Sequence, residues 1–466
     1  MSGAPVSTST TIPVLAQDSV AVEAQILLFL QQLASPTGVA GAIIAGAILV
    51  AALVFRKGLP VMGGIAMASV AFQLHPNALT INMLLGPLQA FRYASKSIAF
   101  ALLGIGMWAA LSLPLAQRGR SVGLAATTFL AFQLYYIVQV LLFADSGLAR
   151  GAFGILSVTM MFVVFAVGLG RRIQDPASAR DALSVFAWVG AAFVAINFVQ
   201  IALGRQGAFV GGRLAGICGN AQMMGGVSSM LLIANAYLAS DLPKVRPSWW
   251  MSVASSGLLA LLVVATGSRT AVLASGIGLM FLFRRQLGRA IVLAVPVVIV
   301  FLFASGYLEE TEGAVSRMID AENTRAAVWA TALGEFLSSP VFGTLPFEGD
   351  LSGTESSLLR ALAATGLIGG ALIALPFLAM IFNCVRANWL GATDSRYRRI
   401  CDYCIASSLA ILVFNTLDGY AFGLLTFPVV FMYTTFTLGD FLAAESHAPL
   451  MQEMTDGEPT ADAWAA

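Results

Sequence analysis

One long polar segment interrupts an otherwise apolar chain, and its residues are the best suited to chemistry. It lies between the apolar stretch that ends near Phe303 and the one that begins near Ser357. Glu355 stands where this segment meets the next apolar stretch, and a carboxylate in such a partly desolvated position can act as a general base. Helix capping or an ion pair with Arg360 would explain Glu355 equally well. The segment holds only two arginines but nine carboxylates, which are Glu309, Glu310, Glu312, Asp320, Glu322, Glu335, Glu348, Asp350 and Glu355.

The same segment predicts one amphipathic helix. Asn323 or Thr324 is the expected N-cap, and the helix should run through about Ser338 and lie on the bilayer surface. Arg325 then falls in the first turn, where the helix dipole disfavours a cation, so a bound anion would be a natural compensation. An ion pair with Glu322 is the structural alternative. The expected apolar stripe consists of Val328, Trp329, Ala332, Leu333, Phe336 and Leu337.

A glycine-rich stretch, Gly204 to Gly226, offers a second place for ligand contact. It has eight glycines in 23 residues. Glycine lets the backbone approach a ligand closely, and exposed amides in such a loop suit an anion. Glycines that merely permit close helix packing are the alternative. Arg213 and Asn220 favour ligand contact.

A minimal turn, Thr266-Gly267-Ser268-Arg269, joins two apolar stretches and leaves Arg269 at or just below the membrane surface. An arginine at that depth costs free energy unless it faces a polar cavity or extends its side chain outward to water. In a cavity, its planar guanidinium could hold a phosphate through two parallel hydrogen bonds.

The composition predicts a membrane protein that crosses the bilayer many times. The chain has 466 residues, of which 58% are hydrophobic and 11% charged, with a mean hydropathy of +0.84. A bilayer core requires about 20 apolar residues per helix. Thirteen candidate spans fit, at 37–55, 59–75, 97–115, 123–144, 152–170, 183–203, 221–240, 249–265, 269–283, 290–305, 357–384, 402–417 and 421–440.

The predicted fold class is therefore an all-α polytopic membrane helix bundle with about 12–13 transmembrane helices. We expect a disordered N-terminal segment at 1–24, a transmembrane domain at 25–440 and a cytoplasmic tail at 441–466. One long extracytoplasmic loop, 306–356, would carry the amphipathic helix.

The distribution of basic residues predicts the orientation, because cytoplasmic loops retain Lys and Arg. On this basis the glycine-rich stretch and the long loop lie on the outer side of the membrane, and Arg269 lies at or just below the outer surface. Sixteen of the 25 basic residues fall in alternate loops that we assign to the cytoplasm: Arg56, Lys57, Arg118, Arg120, Arg171, Arg172, Arg180, Lys244, Arg246, Arg284, Arg285, Arg289, Arg386, Arg396, Arg398 and Arg399.

Several kinds of chemistry are disfavoured. The chain has two histidines, His75 and His447, so a histidine triad or a histidine-rich zinc site is not expected. Cys401 and Cys404 form a CxxC pair without a second pair, which favours small apolar residues at a helix start over a redox or metal site. The sequence has neither a phosphate-binding P-loop nor a dinucleotide fingerprint. We expect no cofactor, no metal and no nucleic-acid partner.

The order of these motifs resembles the O-antigen ligase and polymerase family of bacterial inner-membrane proteins. The resemblance covers about residues 205–375. The residues that carry it are Arg213-Leu-Ala-Gly216 with Asn220, Thr266-Gly-Ser-Arg269, Arg325-x-x-x-Trp329, Pro340-Val-Phe-Gly343, and Glu355-Ser-Ser-Leu-Leu with Thr365-Gly-Leu-Ile-Gly369.

The resemblance implies a GT-C-like membrane glycosyltransferase that takes a glycan from undecaprenyl diphosphate outside the inner membrane, without a metal. Arg269 and Arg325 would hold the diphosphate, and the end of the long loop would activate the acceptor hydroxyl. Members with ligase activity usually carry histidine where Glu355 falls, and Gln222 stands where a second asparagine is common. These departures favour polymerase over ligase. Implied partners are the lipid-linked oligosaccharide, membrane lipids, and polysaccharide export and chain-length proteins.

Two other functions stay open. A lipid-linked sugar flippase or transporter has a similar number of helices, but such folds commonly show repeated halves, and no repeat is evident in this sequence. The third possibility is an inactive scaffold of an export complex that has lost the usual histidine. The single acidic loop lies asymmetrically in the last third of the chain, which favours an enzyme.

Overall fold

A computed structural model of the protein describes most of the chain after residue 85. The described residues are 63–64, 86–112, 122–143, 148–203, 208–286, 326–344, 356–389, 395–419 and 425–456. The predicted disordered segment and the predicted spans 37–55 and 290–305 lie outside them, as does all but two residues of the predicted span 59–75.

The described residues form a bundle of α-helices with one two-stranded hairpin. Within them, eight helices are long and apolar enough to cross a membrane, which makes the chain a multi-pass membrane protein. The elements are α1 Gly86–Leu111, α2 Leu124–Phe143, α3 Leu148–Phe162, α4 Pro176–Leu183, α5 Val185–Leu203, β1 Phe209–Val210, β2 Arg213–Leu214, α6 Ala221–Asp241, α7 Pro247–Ala265, α8 Arg269–Leu282, α9 Ala326–Ser338, α10 Ser357–Trp389, α11 Ser395–Leu417 and α12 Phe427–Asp456.

The predicted spans within the described residues are all helical, so the all-α bundle is confirmed at this level. Ten predicted spans fall within the described residues. Two of them correspond to apolar helices that are shorter than a full crossing, namely α8 and the apolar part of α1, Ile98–Leu111. α3 continues through a π-helical stretch, Val163–Gly168, into a last α-helical turn that ends at Arg172. α12 continues to Asp456, so part of the predicted C-terminal tail is helical.

The centre of the bundle is α6, which packs against α5, α7, α8 and α11. Small and hydroxyl side chains let these helices approach closely, as is typical inside membranes. The Ser229 hydroxyl donates to the Ala271 carbonyl at 3.0 Å, and the Ser275 hydroxyl donates to Ser229 at 2.7 Å. Gly225 packs against Ala271 and Ile233 packs against Gly278, so α6 and α8 run parallel to each other.

One end of the bundle is held by ion pairs between helices, and we call it the basic end. Arg246 pairs with Asp181 at 2.5 Å, Arg284 with Asp402 at 2.6 Å, and Arg399 with Asp241 at 3.0 Å. All three arginines belong to the set that the sequence assigns to the cytoplasm. The structure thus places them at one end, while the side of the membrane stays a prediction. We call the opposite end the site end.

The contact between α8 and α11 fixes which residues lie at the same height. The two helices are antiparallel, because Arg284 after the end of α8 pairs with Asp402 near the start of α11. Both rise by about 1.5 Å per residue. Arg269, at the start of α8, is therefore level with the last turn of α11, which ends at Leu417 at the site end.

The contact between α10 and α11 gives a second register. The buried Cys384 thiol lies in hydrogen-bonding contact with Cys401 and Cys404, so these helices are also antiparallel. Extending this register towards the site end places Asp418 level with residues 367–370. Burial of all four cysteines as free thiols agrees with the structural interpretation of the CxxC pair. Within the described ranges, no group of three or more His, Cys, Asp and Glu suits a metal ion.

A carboxylate on α12 caps a different helix. Asp440 accepts hydrogen bonds from the Ala125 and Ala126 amides, at 3.1 and 3.2 Å, in the first turn of α2. It also accepts one from the Asn383 side chain at 3.2 Å. The start of a helix has amides without partners inside the helix, and an acceptor from elsewhere can satisfy them. Gly123 leaves room for this contact, since a Cβ atom there would clash with Asp440.

We expect the Asp440→Ala substitution to lower the free energy of unfolding by about 1–3 kcal/mol, because it leaves two buried amides without an acceptor. Thermal unfolding of the purified protein in detergent would measure the loss. Asp181→Ala is the matched control: it removes a half-exposed ion pair with Arg246, which is expected to contribute under about 1 kcal/mol. Equal losses in the two variants would contradict the capping role.

Candidate functional site

The glycine-rich stretch folds into a tight hairpin that presents Arg213. Phe209 pairs with Leu214, and Val210 pairs with Arg213, in antiparallel register. The two residues between them, Gly211 and Gly212, both have positive φ, at 56° and 69°. Positive φ at both central residues is the geometry of a type I′ hairpin turn, which glycine adopts without strain. The all-α prediction missed this hairpin, although a Gly-Gly pair is a recognised hairpin signal.

Arg213 joins the hairpin to the turn between α7 and α8. Its Nε atom donates to the Thr266 carbonyl at 2.9 Å. Thr266 is the C-cap of α7, so the guanidinium satisfies a carbonyl that has no partner within the helix. Arg213 and Arg269 are more than fifty residues apart in the sequence and belong to two separate motifs. The structure brings their segments together.

The turn before α8 has the geometry that the sequence predicts. Gly267 has a φ of 58°, and the Ser268 hydroxyl caps α8 by accepting from the Ala271 amide at 3.3 Å. Arg269 is the first residue of α8 and is exposed. A cation in the first turn shares that end of the helix with its free amides, which also carry positive charge.

Asn220 has a structural role that the sequence did not predict. Its side-chain oxygen caps α6 by accepting from the Gln222 and Met223 amides, at 2.8 and 3.3 Å. The capped end of α6 lies beside the start of α8, because Gly225 packs closely against Ala271. The N-termini of α6 and α8 thus lie side by side. Their partial positive charges add to those of the two arginines described above.

Cys218 lies in the same loop but is not suited to nucleophilic chemistry. The thiol is fully buried, and burial raises the pKa of Cys218 to about 12. A thiol with that pKa is protonated at neutral pH, and the thiolate is the reactive form. The loop is instead fixed by Asn197, whose side-chain oxygen accepts from the Ile217 amide at 3.0 Å.

α10 is broken at Gly366, and another part of the chain fills the break. Gly366 has a φ of 63° and a ψ of −161°, which is not helical. In an unbroken helix, the Leu367 amide would donate to the Ala363 carbonyl. Here the Leu367 amide donates to the Pro340 carbonyl at 2.8 Å, and the Ala363 carbonyl accepts from the Thr344 amide at 2.9 Å. The segment 340–344 therefore satisfies both the Leu367 amide and the Ala363 carbonyl.

Two glycines allow this close contact of backbone with backbone. Gly343 packs against the Ala364 carbonyl, and Gly366 packs against the Val341 carbonyl. Both glycines have positive φ, and a Cβ atom on either would clash with the opposite backbone. The motifs Pro340-Val-Phe-Gly343 and Thr365-Gly366, which the sequence treated separately, form a single joint.

The first part of α10, residues 357–365, crosses the site end instead of continuing the helix axis. Asp418 is level with residues 367–370 in the register given above, yet its carbonyl accepts from the Ser357 amide at 3.1 Å. Residues 357 and 367 can lie at one height only if the helix between them turns aside at Gly366. We call residues 357–365 the crossing helix. α9 packs on it through a small cluster of Ala332, Ala363 and Ala364.

Asp418 is a residue of this end that the sequence analysis missed. It follows α11 and is buried, with 3% of its surface exposed. Its backbone carbonyl also accepts from the Ser357 hydroxyl at 3.2 Å. A carboxylate between two apolar stretches could have indicated a site residue in the sequence. The burial of Asp418, however, depends on the crossing helix.

Of the remaining predicted site residues, two lie outside the described residues and one lies within them. Glu355 and Arg325 lie outside the described residues, so their positions stay predictions. Arg360 is half-buried on the crossing helix, at the site end. Ser356, which precedes α10, is fully buried and accepts from the Leu359 amide at 3.2 Å.

The predicted amphipathic helix is present as α9, Ala326–Ser338, close to the expected bounds. Its predicted apolar stripe divides into two parts. Ala332 is buried against the crossing helix and Trp329 is half-buried, whereas Leu333 and Leu337 are exposed. The buried Trp329 indole nitrogen has no hydrogen-bond partner within the described residues.

Comparison with known proteins does not extend these findings. No protein-family model matches the chain, and no curated protein matches it.

We expect Gly366→Ala to release the segment 340–344 from α10, because alanine strains a backbone with this φ by about 1–3 kcal/mol and its Cβ would meet the Val341 carbonyl. Limited proteolysis within residues 340–344, with thermal unfolding in detergent, would detect the release. Gly334→Ala is the matched control: this exposed glycine of α9 has open space around it, and alanine there should stabilise the helix by about 0.5–1 kcal/mol. Unchanged protection in Gly366→Ala would contradict the joint.

Proposed function

We propose that this protein is a membrane glycosyltransferase of the O-antigen polymerase and ligase type, with a GT-C-like architecture. It would transfer a glycan from a polyprenyl-diphosphate donor to a sugar hydroxyl on the periplasmic face of the bacterial inner membrane. The observation that carries the proposal is the convergence at the site end. Arg213 contacts the turn that begins α8, and Arg269 is level with the last turn of α11, which precedes Asp418 and lies near the level of the break in α10.

The positive charge at this end suits a diphosphate leaving group. When the bond from the anomeric carbon to the diphosphate breaks, the electron pair stays on the departing oxygen. Guanidiniums and helix N-termini held in place before the reaction stabilise this charge more in the transition state than in the ground state. Arg269 and the starts of α6 and α8 would supply this stabilisation, together with Arg325 immediately before α9.

The length of α8 supports a recessed position for Arg269. Fifteen residues separate Arg269 from Arg284, which corresponds to about 23 Å along the helix axis. A hydrocarbon core of about 30 Å exceeds this length. One of these two arginines must then lie below its membrane surface. We propose that this is Arg269, in a polar cavity that a lipid diphosphate can enter.

A carboxylate at the same end would accept the proton of the acceptor hydroxyl as the new bond to the anomeric carbon forms. Glu355 is the candidate from the sequence, because it directly precedes the buried Ser356. Asp418 is a second candidate, because it is buried against Ser357. We favour polymerase over ligase, since a carboxylate residue stands at the position where ligases of the family carry histidine.

The broken α10 also favours a second candidate, a lipid-linked sugar flippase. Transporters commonly use interrupted helices to hold charged substrates. In transporters the interruption lies near the middle of the membrane, however, and Gly366 lies at the level of Asp418 at the end of α11. Purified protein with a lipid-linked repeat unit separates the two functions. Longer glycan chains indicate a transferase, and redistribution of the unit across vesicles without longer chains indicates a flippase.

We expect Arg269→Ala and Arg325→Ala each to reduce polymer formation by at least about 100-fold, because each removes a donor to the developing charge. Protein level in the membrane should stay normal. Arg246→Ala is the matched control, since it removes an arginine from the exposed ion pair at the basic end and should keep full activity. Full activity in either site variant would remove the diphosphate hypothesis.

We expect Glu355→Gln to lower turnover by about 10²- to 10⁴-fold, as loss of a general base does. Asp418→Asn should have a smaller effect on turnover, because Glu355 is the proposed base and asparagine keeps the shape of the buried side chain. Initial rates of chain extension with saturating donor would measure both. A larger loss in Asp418→Asn would assign the base to Asp418, and retained turnover in Glu355→Gln would give Glu355 a structural role.

A further inference from the structure

The outward side of α9 carries an apolar surface that nothing in the described chain covers. Leu333 and Leu337 are 49% and 67% exposed, and Val341 and Phe342 in the following turn are 48% and 62% exposed. Leu333 and Leu337 are four residues apart and so lie on one face of the helix. We call these four residues the apolar ridge. Exposed apolar surface of this kind marks an interaction site.

The apolar ridge is continuous with the part of α10 that crosses the membrane. The Pro340 carbonyl accepts from the Leu367 amide at 2.8 Å, which fixes the ridge beside the start of the long second part of α10. Leu367 and Ile368 are themselves 55% and 37% exposed on that span. The ridge therefore extends an outward surface that, on a transmembrane helix, faces lipid.

The other side of α9 is polar or buried. Ala332 packs against the crossing helix, and the exposed Thr331 and Ser338 lie roughly 100–160° around the helix from the leucines, at 100° per residue. An interfacial helix has this arrangement, with its apolar side among the acyl chains and its polar side in water.

We infer that the apolar ridge inserts into the bilayer leaflet at the site end, and that lipid acyl chains are its partner. The joint at Gly343 and Gly366 sets the depth of insertion, because it fixes the ridge to the level at which α10 begins its crossing. Insertion would hold the crossing helix over the site end from the membrane side. This inference does not depend on the proposed chemistry.

Single-cysteine labelling in liposomes would test it. Leu337→Cys and Phe342→Cys would be labelled with an environment-sensitive NBD fluorophore, with Ser338→Cys and Thr331→Cys as matched controls from the polar side of the same helix. The four native cysteines are buried, so the unsubstituted protein gives the background. We expect the two ridge labels to emit at shorter wavelength than the controls. They should also be quenched severalfold more strongly by doxyl-labelled phospholipids.

Two results would overturn the inference. Equal, water-like emission from ridge and control labels would show that the ridge is not inserted. Short-wavelength emission that doxyl lipids fail to quench would show that protein covers it, such as a second copy of the chain. Because two ridge positions are labelled separately, misfolding of one variant leaves the other to decide.

Discussion

The helical hydrogen bond between Leu367 and Ala363 is absent from α10, and the arrangement of the site end depends on how these two groups are satisfied. The Ala363 carbonyl and the Leu367 amide would normally bond to each other. Both instead bond to the segment 340–344, through Thr344 and Pro340. In a bilayer, an exposed backbone group without a partner costs several kcal/mol. The break is therefore tolerated only while this segment stays docked.

Docking at the break has consequences for everything around it. The crossing helix turns aside at Gly366 and covers Asp418, while α9 is held against its outer surface. The same joint fixes the height of the apolar ridge relative to the membrane. One local interaction between two backbone segments thus links the buried carboxylate, the surface helix and the expected membrane contact.

The two ends of the bundle are stabilised in different ways. At the basic end, arginines are used in ion pairs between helices, and Asp440 caps α2. At the site end, Arg213 holds a carbonyl of the turn, and Arg269 stands beside a helix N-terminus. The dipole of α8 by itself disfavours a cation in that position. Such local violations of folding preference are expected at functional sites.

Much of the bundle was predictable, because each span is a local property of the chain. About twenty apolar residues in a row must form a helix in lipid, whatever their neighbours are. Local signals also predicted the turn at Gly267 and the bounds of α9, since a capping residue and a helical period act over a few residues. The register between helices has no comparable local signal.

The sequence by itself determined the helices, the turn before Arg269 and the amphipathic character of α9. Only the tertiary structure decided that Asp418 is buried, that Asn220 caps α6 and that Asp440 caps α2. It also decided that Gly343 and Gly366 meet. The physical reason is distance along the chain: apolar length and capping act within one segment, whereas these contacts join segments that only the packing of the bundle brings together.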